Sequence, residues 1–306
     1  MIVKARKESL ELQMLASLNQ RMVLSDKDKL YYLNLKKGYE GELLFDGYLE
    51  RLTCESMILN DLLLKMNQTT FQIDSMIVTS DCIYVFEVKN YEGDFYYDSE
   101  TDKIFSKSKT LEIVNPLIQL KRSDTLLRQL LQSFGFSGLR IHSTVVFVNP
   151  HFTLYQAPLD KPFIYPTQIE RFFEQLNENK KSRLTSKQRM LVEKLLSLHL
   201  VESQYSQIPT YGYEELRKGI TCGECGSFLV AVEGRNCVCM GCGGVEPVSS
   251  AVMRSVREFQ MLFPGEKITT KRIVDWCVIV ESSKSVRTIL ENNLNAVGDN
   301  RWTYYE

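Results

Sequence analysis

Apolar residues recur at helical spacing over residues 9–52, and Ser25, three residues before Asp28, is placed to cap a helix. Gly38 should interrupt this run and divide it into two helices. The period then changes. Residues 71–78 (FQIDSMIV) and 82–88 (CIYVFEV) read as strands, and the turn formers Thr79-Ser80-Asp81 between them predict a β-hairpin. Asn115-Pro116 supplies a cap and a first-turn proline for a helix reaching about Phe134, with Gly135 and Gly138 beyond it. Residues 142–148 (HSTVVFV) read as a buried strand. Thr185 and Gln188 fit a capping box opening a helix that carries Leu191, Leu195, Leu196 and Leu198. Three short helices are predicted over 252–262, 269–280 and 282–293, and a terminal strand over 298–305 (GDNRWTYY).

This alternation of helices and strands predicts an α/β fold. The 306 residues suggest about two domains with small modules added. The boundaries drawn from the pattern are 1–36 for N-terminal helices, 37–176 for an α/β domain, 177–221 for a helical connector, 222–245 for a cysteine module and 246–306 for a small helical module. Composition is that of a globular chain, with 44% hydrophobic and 25% charged residues. The 37 Lys and Arg against 38 Asp and Glu leave a net charge of −1, which excludes a globally basic coat protein and a polyacidic tail. No apolar run approaches the ~18 residues that span a bilayer, and residues 1–14 are too charged for a signal-peptide core, so no membrane association is expected and a cytoplasmic protein is.

The hairpin carries the chemistry. A turn centred between Ser80 and Asp81 places Asp74 opposite Glu87 and Gln72 opposite Lys89. Alternation then sets these four on one face, with Phe71, Ile73, Ile77, Tyr84, Phe86 and Val88 on the other. Opposed strand residues have Cβ atoms about 4.5–5.5 Å apart, so two carboxylates in that position repel. A hard divalent cation would relieve the repulsion, because it takes oxygen ligands from one or two carboxylates, water and phosphate. Such an ion polarises a phosphoryl oxygen and lowers the pKa of a bound water. Lys89 could orient that water or stabilise charge on the phosphate. Taken alone, a Glu-x-Lys strand end is usually a solvated face, and Asp74 could be an edge charge that discourages aggregation.

Four motifs occur in order: Gly38-Tyr39-Glu40-Gly41-Glu42, Gln72-Ile73-Asp74, Phe86-Glu87-Val88-Lys89-Asn90-Tyr91-Glu92-Gly93, and Asn115-Pro116-Leu117-Ile118-Gln119. Together they resemble the nuclease-related domain (NERD) family, which is similar to the PD-(D/E)XK restriction-endonuclease-like nucleases. The resemblance covers about 37–150. It implies a mixed central sheet flanked by helices, with the Asp74/Glu87 hairpin in its middle. It also implies that Asp74 and Glu87 are Mg²⁺ or Mn²⁺ ligands, that Lys89 is the catalytic lysine, and that Glu42 is an additional acid from the preceding helix. Gln119 matches the glutamine of the helix after the active-site strands. Glu40 should face away from Glu42 on a helix, and Asp94 and Asp98 read as turn residues.

Cys222-Gly-Glu-Cys225-Gly and Cys239-Met-Gly-Cys242-Gly are two knuckles with 13 residues between Cys225 and Cys239. Four thiolates complete a tetrahedral Zn²⁺ shell with no open position, so a structural zinc is expected. The segment resembles a zinc ribbon. Cys237 stands as an alternative ligand to Cys239, although the CxxC spacing favours Cys239. Cys54, Cys82 and Cys277 read as small core hydrophobes.

The segments 269–276 and 282–293 resemble a helix-turn-helix with Ile273, Val274, Val280, Val286, Ile289 and Leu290 as core. Lys284 and Arg287 would be exposed, and Arg301, Trp302, Tyr304 and Tyr305 would form a wing. Between Glu246 and Glu306 there are eight cations and eight anions, so this segment lacks the basic excess of an autonomous DNA binder. The reading is a Mg²⁺- or Mn²⁺-dependent (endo)deoxyribonuclease acting on DNA, targeted by its zinc-ribbon and helix-turn-helix modules. The alternatives are a non-catalytic nucleic-acid-binding or regulatory protein that uses the nuclease fold as a scaffold, and a protein-interaction module. A homodimer or a protein partner would engage through the C-terminal module.

Overall fold

The structure is a computed structural model that describes residues 1–108, 111–136, 138–178, 183–201, 207–280, 282–298 and 302–306. The chain forms two compact units, one built from Met1–Glu8 and Leu33–Tyr205, the other from Ser9–Tyr32 and Ser206–Glu306. No helix among the described residues is long and apolar enough to cross a membrane.

In chain order the elements are β1 (Ile2–Lys4), α1 (Leu10–Arg21), α2 (Asp26–Leu49), β2 (Met57–Met66), β3 (Thr69–Val78), β4 (Cys82–Lys89), β5 (Gly93–Asp98), β6 (Lys103–Ser106), β7 (Leu111–Ile113), α3 (Pro116–Ser133) and β8 (Arg140–Phe147). They continue with β9 (Phe152–Tyr155), β10 (Phe163–Ile164), α4 (Ile169–Glu178), α5 (Ser186–Leu198), β11 (Val230–Glu233), β12 (Asn236–Cys239), β13 (Val245–Pro247), α6 (Val248–Leu262), α7 (Thr270–Cys277), α8 (Ser283–Asn293), β14 (Ala296–Val297) and β15 (Tyr304–Tyr305).

The first unit is a mixed α/β fold. Six strands run in the order β1-β2-β3-β4-β8-β10, with β2-β3-β4 antiparallel and β1, β8 and β10 parallel to their neighbours. The predicted hairpin β3-β4 therefore lies in the middle of the sheet. Helices cover both faces. Met76, Val78, Ile83 and Val85 pack with α3 and α5 through Leu127, Leu130, Leu191 and Leu195. Ile77, Phe86 and Val88 pack on the other side with Phe45 and Leu49 of α2 and Phe173 of α4. A second sheet, β7-β6-β5-β9, closes over Leu120 of α3 and Phe147 of β8. The caps behave as expected: the Asn115 side chain accepts from the Leu117 N–H at the start of α3, and Thr185 and Gln188 form the capping box of α5.

Two local features depart from the sequence pattern. Gly38 does not divide a helix, because α2 runs without a break from Asp26 to Leu49. A glycine in an exposed helix interior costs only about 1 kcal/mol, and the continuing chain offsets it. The other departure is on the hairpin face. Phe71 and Ile73 share one core with Met76 and Val78 instead of lying on the Ile77 side. Residues three apart on a regular strand face opposite ways, so the side-chain alternation slips by one between Ile73 and Met76. The partner strand slips at the same level, between Leu59 and Leu62, where Asp61 has φ 55°. The pattern gives no signal for the other strands of this unit, β1, β2, β5, β6, β7, β9 and β10.

The second unit joins α1 to the C-terminal segments. Leu18 of α1 lies in one core with Val252, Val256 and Phe259 of α6, Ile273 and Trp276 of α7, and Val286 and Leu290 of α8. Of the predicted helical core, Ile273, Val280, Val286 and Leu290 are buried, while Val274 and Ile289 pack at its edge. α7 ends at Cys277, short of Val280, because Val278 turns to φ 57°. The terminal strand is half of a small antiparallel hairpin, Ala296 facing Tyr305 and Val297 facing Tyr304. Arg301 lies outside the described residues.

The two motif glycines of α2 differ in their surroundings. Nothing lies within 4 Å of a side chain added at Gly38, whereas one at Gly41 would collide with Asn90 at the end of β4. Gly38→Ala should therefore raise stability by about 1 kcal/mol, and Gly41→Ala should lower it by about 1–3 kcal/mol, as read by chemical denaturation.

Candidate functional site

Within the hairpin Ser75 faces Phe86 and Met76 faces Val85, and the same register carried one step sets Asp74 opposite Glu87. The backbone ladder stops there because the Asp74 carboxylate takes over as acceptor, receiving the Val88 N–H at its Oδ2 at 2.8 Å. Both acids are deeply buried, Asp74 at 5% and Glu87 at 2% exposure. Lys89 Nζ stands 2.6 Å from Glu87 Oε1 and donates to Gln119 Oε1 at 3.1 Å. The structure thus brings Asp74, Glu87, Lys89 and Gln119 together from β3, β4 and the first turn of α3. Gln72 does not join them; its amide donates to Asp61 Oδ1 at 2.9 Å.

Glu42 approaches from α2. Its Oε2 accepts from Arg6 Nη1 at 2.6 Å, and the same guanidinium donates to Asp46 at 3.0 and 3.1 Å. Arg6 Nη2 also donates to the Asp74 carbonyl at 2.8 Å and to Ser75 Oγ at 3.0 Å. Lys4 donates to the Asp61 carbonyl at 2.6 Å and lies 3.8 Å from its carboxylate. In the β2-β3 register Asp61 falls opposite Asp74. Glu40 points elsewhere, toward Lys36, and Asp98 caps a turn through Glu100 N and Thr101 Oγ1. The sequence reading did not include Arg6, Asp46 and Asp61. Asp46 carries a signal, being four residues after Glu42 on one helix. Arg6 carries none, since 36 residues separate it from Glu42.

These contacts set the electrostatics. Burial first and the Asp74 charge second push both Glu42 and Glu87 up to about 8. Burial also raises Asp74, against the pull of Lys89 and the Val88 N–H. Burial alone would lower Lys89, but the Glu87 and Asp74 charges more than offset it and its pKa is raised. Five carboxylates, from Glu42, Asp46, Asp61, Asp74 and Glu87, thus surround three cations, from Lys4, Arg6 and Lys89. Burial holds Glu42 and Glu87 protonated below about 8, so a divalent ion bound there would displace their protons. Glu87 Oε1 is buried with the Lys89 ammonium as its partner, and all the carboxylate ligands on offer are the hard oxygens that Mg²⁺ or Mn²⁺ takes. Glu42, Asp74 and Glu87 do not all lie within 4.8 Å of one another, since among the described residues the set that meets this distance is the cysteine set.

A carboxyl group whose folded pKa lies above its unfolded value stabilises the fold fully below that unfolded value, and the contribution is lost as pH rises through the folded one. In EDTA the melting temperature should therefore fall as pH rises from 6 to 9, through the value of about 8 of Glu87. Glu87→Gln should fall less, as read by thermal melts across that range.

In the second unit, Cys222, Cys225, Cys239 and Cys242 have their sulfurs within 4.8 Å of one another, the arrangement of a zinc ribbon. The Sγ atoms of Cys222 and Cys242, and of Cys225 and Cys239, are each 3.6 Å apart. The two knuckles repeat one geometry. Gly226 N donates to Cys222 O and Gly243 N to Cys239 O, and these glycines take φ 71° and 77°, a turn that residues with a Cβ rarely adopt. Backbone N–H groups of Cys242 and Gly241 pull the Cys239 thiol down to about 7, which favours the thiolate that a metal binds. Cys237 is outside the set and buried in the core beside Val252 and Trp276. Cys54, Cys82 and Cys277 are buried as expected. Metal analysis should find about one zinc per chain, lost in Cys222→Ser and Cys239→Ser and kept in Cys237→Ser.

Residues 37–148 match the family described as the nuclease-related domain. No curated protein matches the chain. Among solved structures, protein VC1899 from Vibrio cholerae is similar with a TM-score of 0.27 and 12% identity, over 58% of this chain and 58% of that one. The motifs of α2, β3, β4 and α3 all fall inside the matched residues, and the segment 37–148 is by that match a nuclease-related domain.

Proposed function

We propose that the first unit hydrolyses phosphodiester bonds of DNA with the help of Mg²⁺ or Mn²⁺. The observation that supports this reading is the buried Asp74–Glu87 pair, with Lys89 2.6 Å from Glu87 and more carboxyl groups than cations around it. Asp74 and Glu87 are the residues that would hold the ion, with Glu42 as the third acid. Bound there, the ion would polarise a phosphate oxygen and lower the pKa of a water. Lys89 is held between Glu87 and Gln119, so its ammonium has a fixed direction and little rotamer freedom left. Its charge stabilises the phosphate as the water oxygen bonds to phosphorus and the sugar oxygen departs with a proton.

The second unit is the targeting part of this reading. The zinc ribbon fixes β11, β12 and β13, and α7 and α8 form a helix-turn-helix-like pair with Lys284 and Arg287 on exposed positions of α8. Arg287 is engaged by Glu291 at 2.8 Å, and Lys284 is the residue left for a phosphate contact.

Purified protein with Mg²⁺ or Mn²⁺ should cut at least one form in a panel of duplex, single-stranded and branched DNA with RNA controls. Glu87→Ala and Lys89→Ala should lower the rate at least about 100-fold, the scale of a lost general acid–base or electrostatic group. Wild-type rates in these variants would overturn the site assignment. Salt-dependent DNA binding without cutting under either ion would leave the nuclease fold as a scaffold.

A further inference from the structure

We infer that Arg6, thirty-one residues before the matched domain begins at residue 37, is a positioning residue of the acidic site and acts through Glu42. This rests on the metal-dependent reading above.

β1 joins the sheet edge parallel to β2, which aims the next residues across the ends of the strands toward the hairpin acids. The Arg6 side chain is 1% exposed, and its nitrogens are divided between two elements: Glu42 and Asp46 on α2, and the Asp74 carbonyl and Ser75 hydroxyl on β3. Glu42 and Asp46 are one helical turn apart, so a planar fork can hold both carboxylates while its remaining N–H reaches the strand. The bond to the Asp74 carbonyl falls where the alternation of β3 slips, the feature that lets the Asp74 carboxylate meet the Val88 N–H. One guanidinium thus fixes the direction of Glu42 against the strand.

A lysine at position 6 keeps the charge but cannot hold two carboxylates, a carbonyl and a hydroxyl in one plane. If Arg6 positions Glu42, then loss of Arg6 and loss of Glu42 remove the same contribution to ion binding. The two changes together should then cost little more than either alone.

The test is Mn²⁺ titration by calorimetry on the full-length wild type, Arg6→Lys, Glu42→Gln and the double variant. An Arg6→Gln, Asp46→Asn pair, which removes one charge of each sign, keeps the experiment open should Arg6→Lys fold poorly. Circular dichroism and melting curves select the folded proteins. Folded Arg6 variants should bind Mn²⁺ about 10–100-fold more weakly, the range for a partner that orients a ligand. The Arg6→Lys, Glu42→Gln double variant should match Glu42→Gln within about threefold, set by the additivity error of such cycles. Arg6 variants that bind like the wild type, or losses that multiply in the double variant, would overturn the inference and leave the metal-dependent reading standing. A wild type that binds no Mn²⁺ would overturn both.

Discussion

Like charges forced together out of water are the constraint around which the first unit is organised. Asp74 and Glu87 face each other in the sheet interior at 5% and 2% exposure, where their repulsion is far stronger than it would be on a surface. The fold answers with cations of two kinds. Lys89, on the same strand as Glu87, meets it as a point charge. Arg6 meets Glu42 and Asp46 through a flat fork that also binds the backbone. Breaking a buried pair of this type by removing one partner typically costs about 3–5 kcal/mol, so these cations are part of the fold as well as of the site.

The same answer recurs in the second unit, by itself and without a catalytic look. Arg21, at 2% exposure, donates to both oxygens of Glu258, at 2.8 and 2.5 Å, and to the carbonyls of Arg217 and Gly219. Its guanidinium carbon lies 4.1 Å from the centre of the Trp276 ring. Here the one guanidinium is matched by the one carboxylate. In the first unit the carboxylates outnumber the cations.

The slip in β2 and β3 shows how a site is fitted into a regular sheet. Strict alternation would have sent Ile73 and Met76 to opposite faces, yet both reach the core beneath α3 and α5. Asp61 and Asp74 lie at the slip, and the positive φ of Asp61 absorbs the change. The irregular level of the sheet is thereby given to charged side chains, between the apolar pair Leu62 and Ile73 on one side and the buried polar pair Asn60 and Ser75 on the other.

The hairpin register, the opposition of Asp74 and Glu87, the cap of α3 and the four-thiol cluster were legible in the sequence, because each depends on spacing within a short segment or on a fixed strand period. The CxxC spacing favoured Cys239 over Cys237, and the folded unit keeps Cys237 in the core while Cys239 joins the other three thiols. The strands β1 and β2 left no usable period: one is three residues long and the other slips at Asp61. The local chemistry was therefore determined by the sequence alone. The tertiary structure decided which distant charges compensate it. Arg6 meets Glu42 only because a strand at the sheet edge and a helix 36 residues on are packed together, and no local pattern encodes a contact made by that packing.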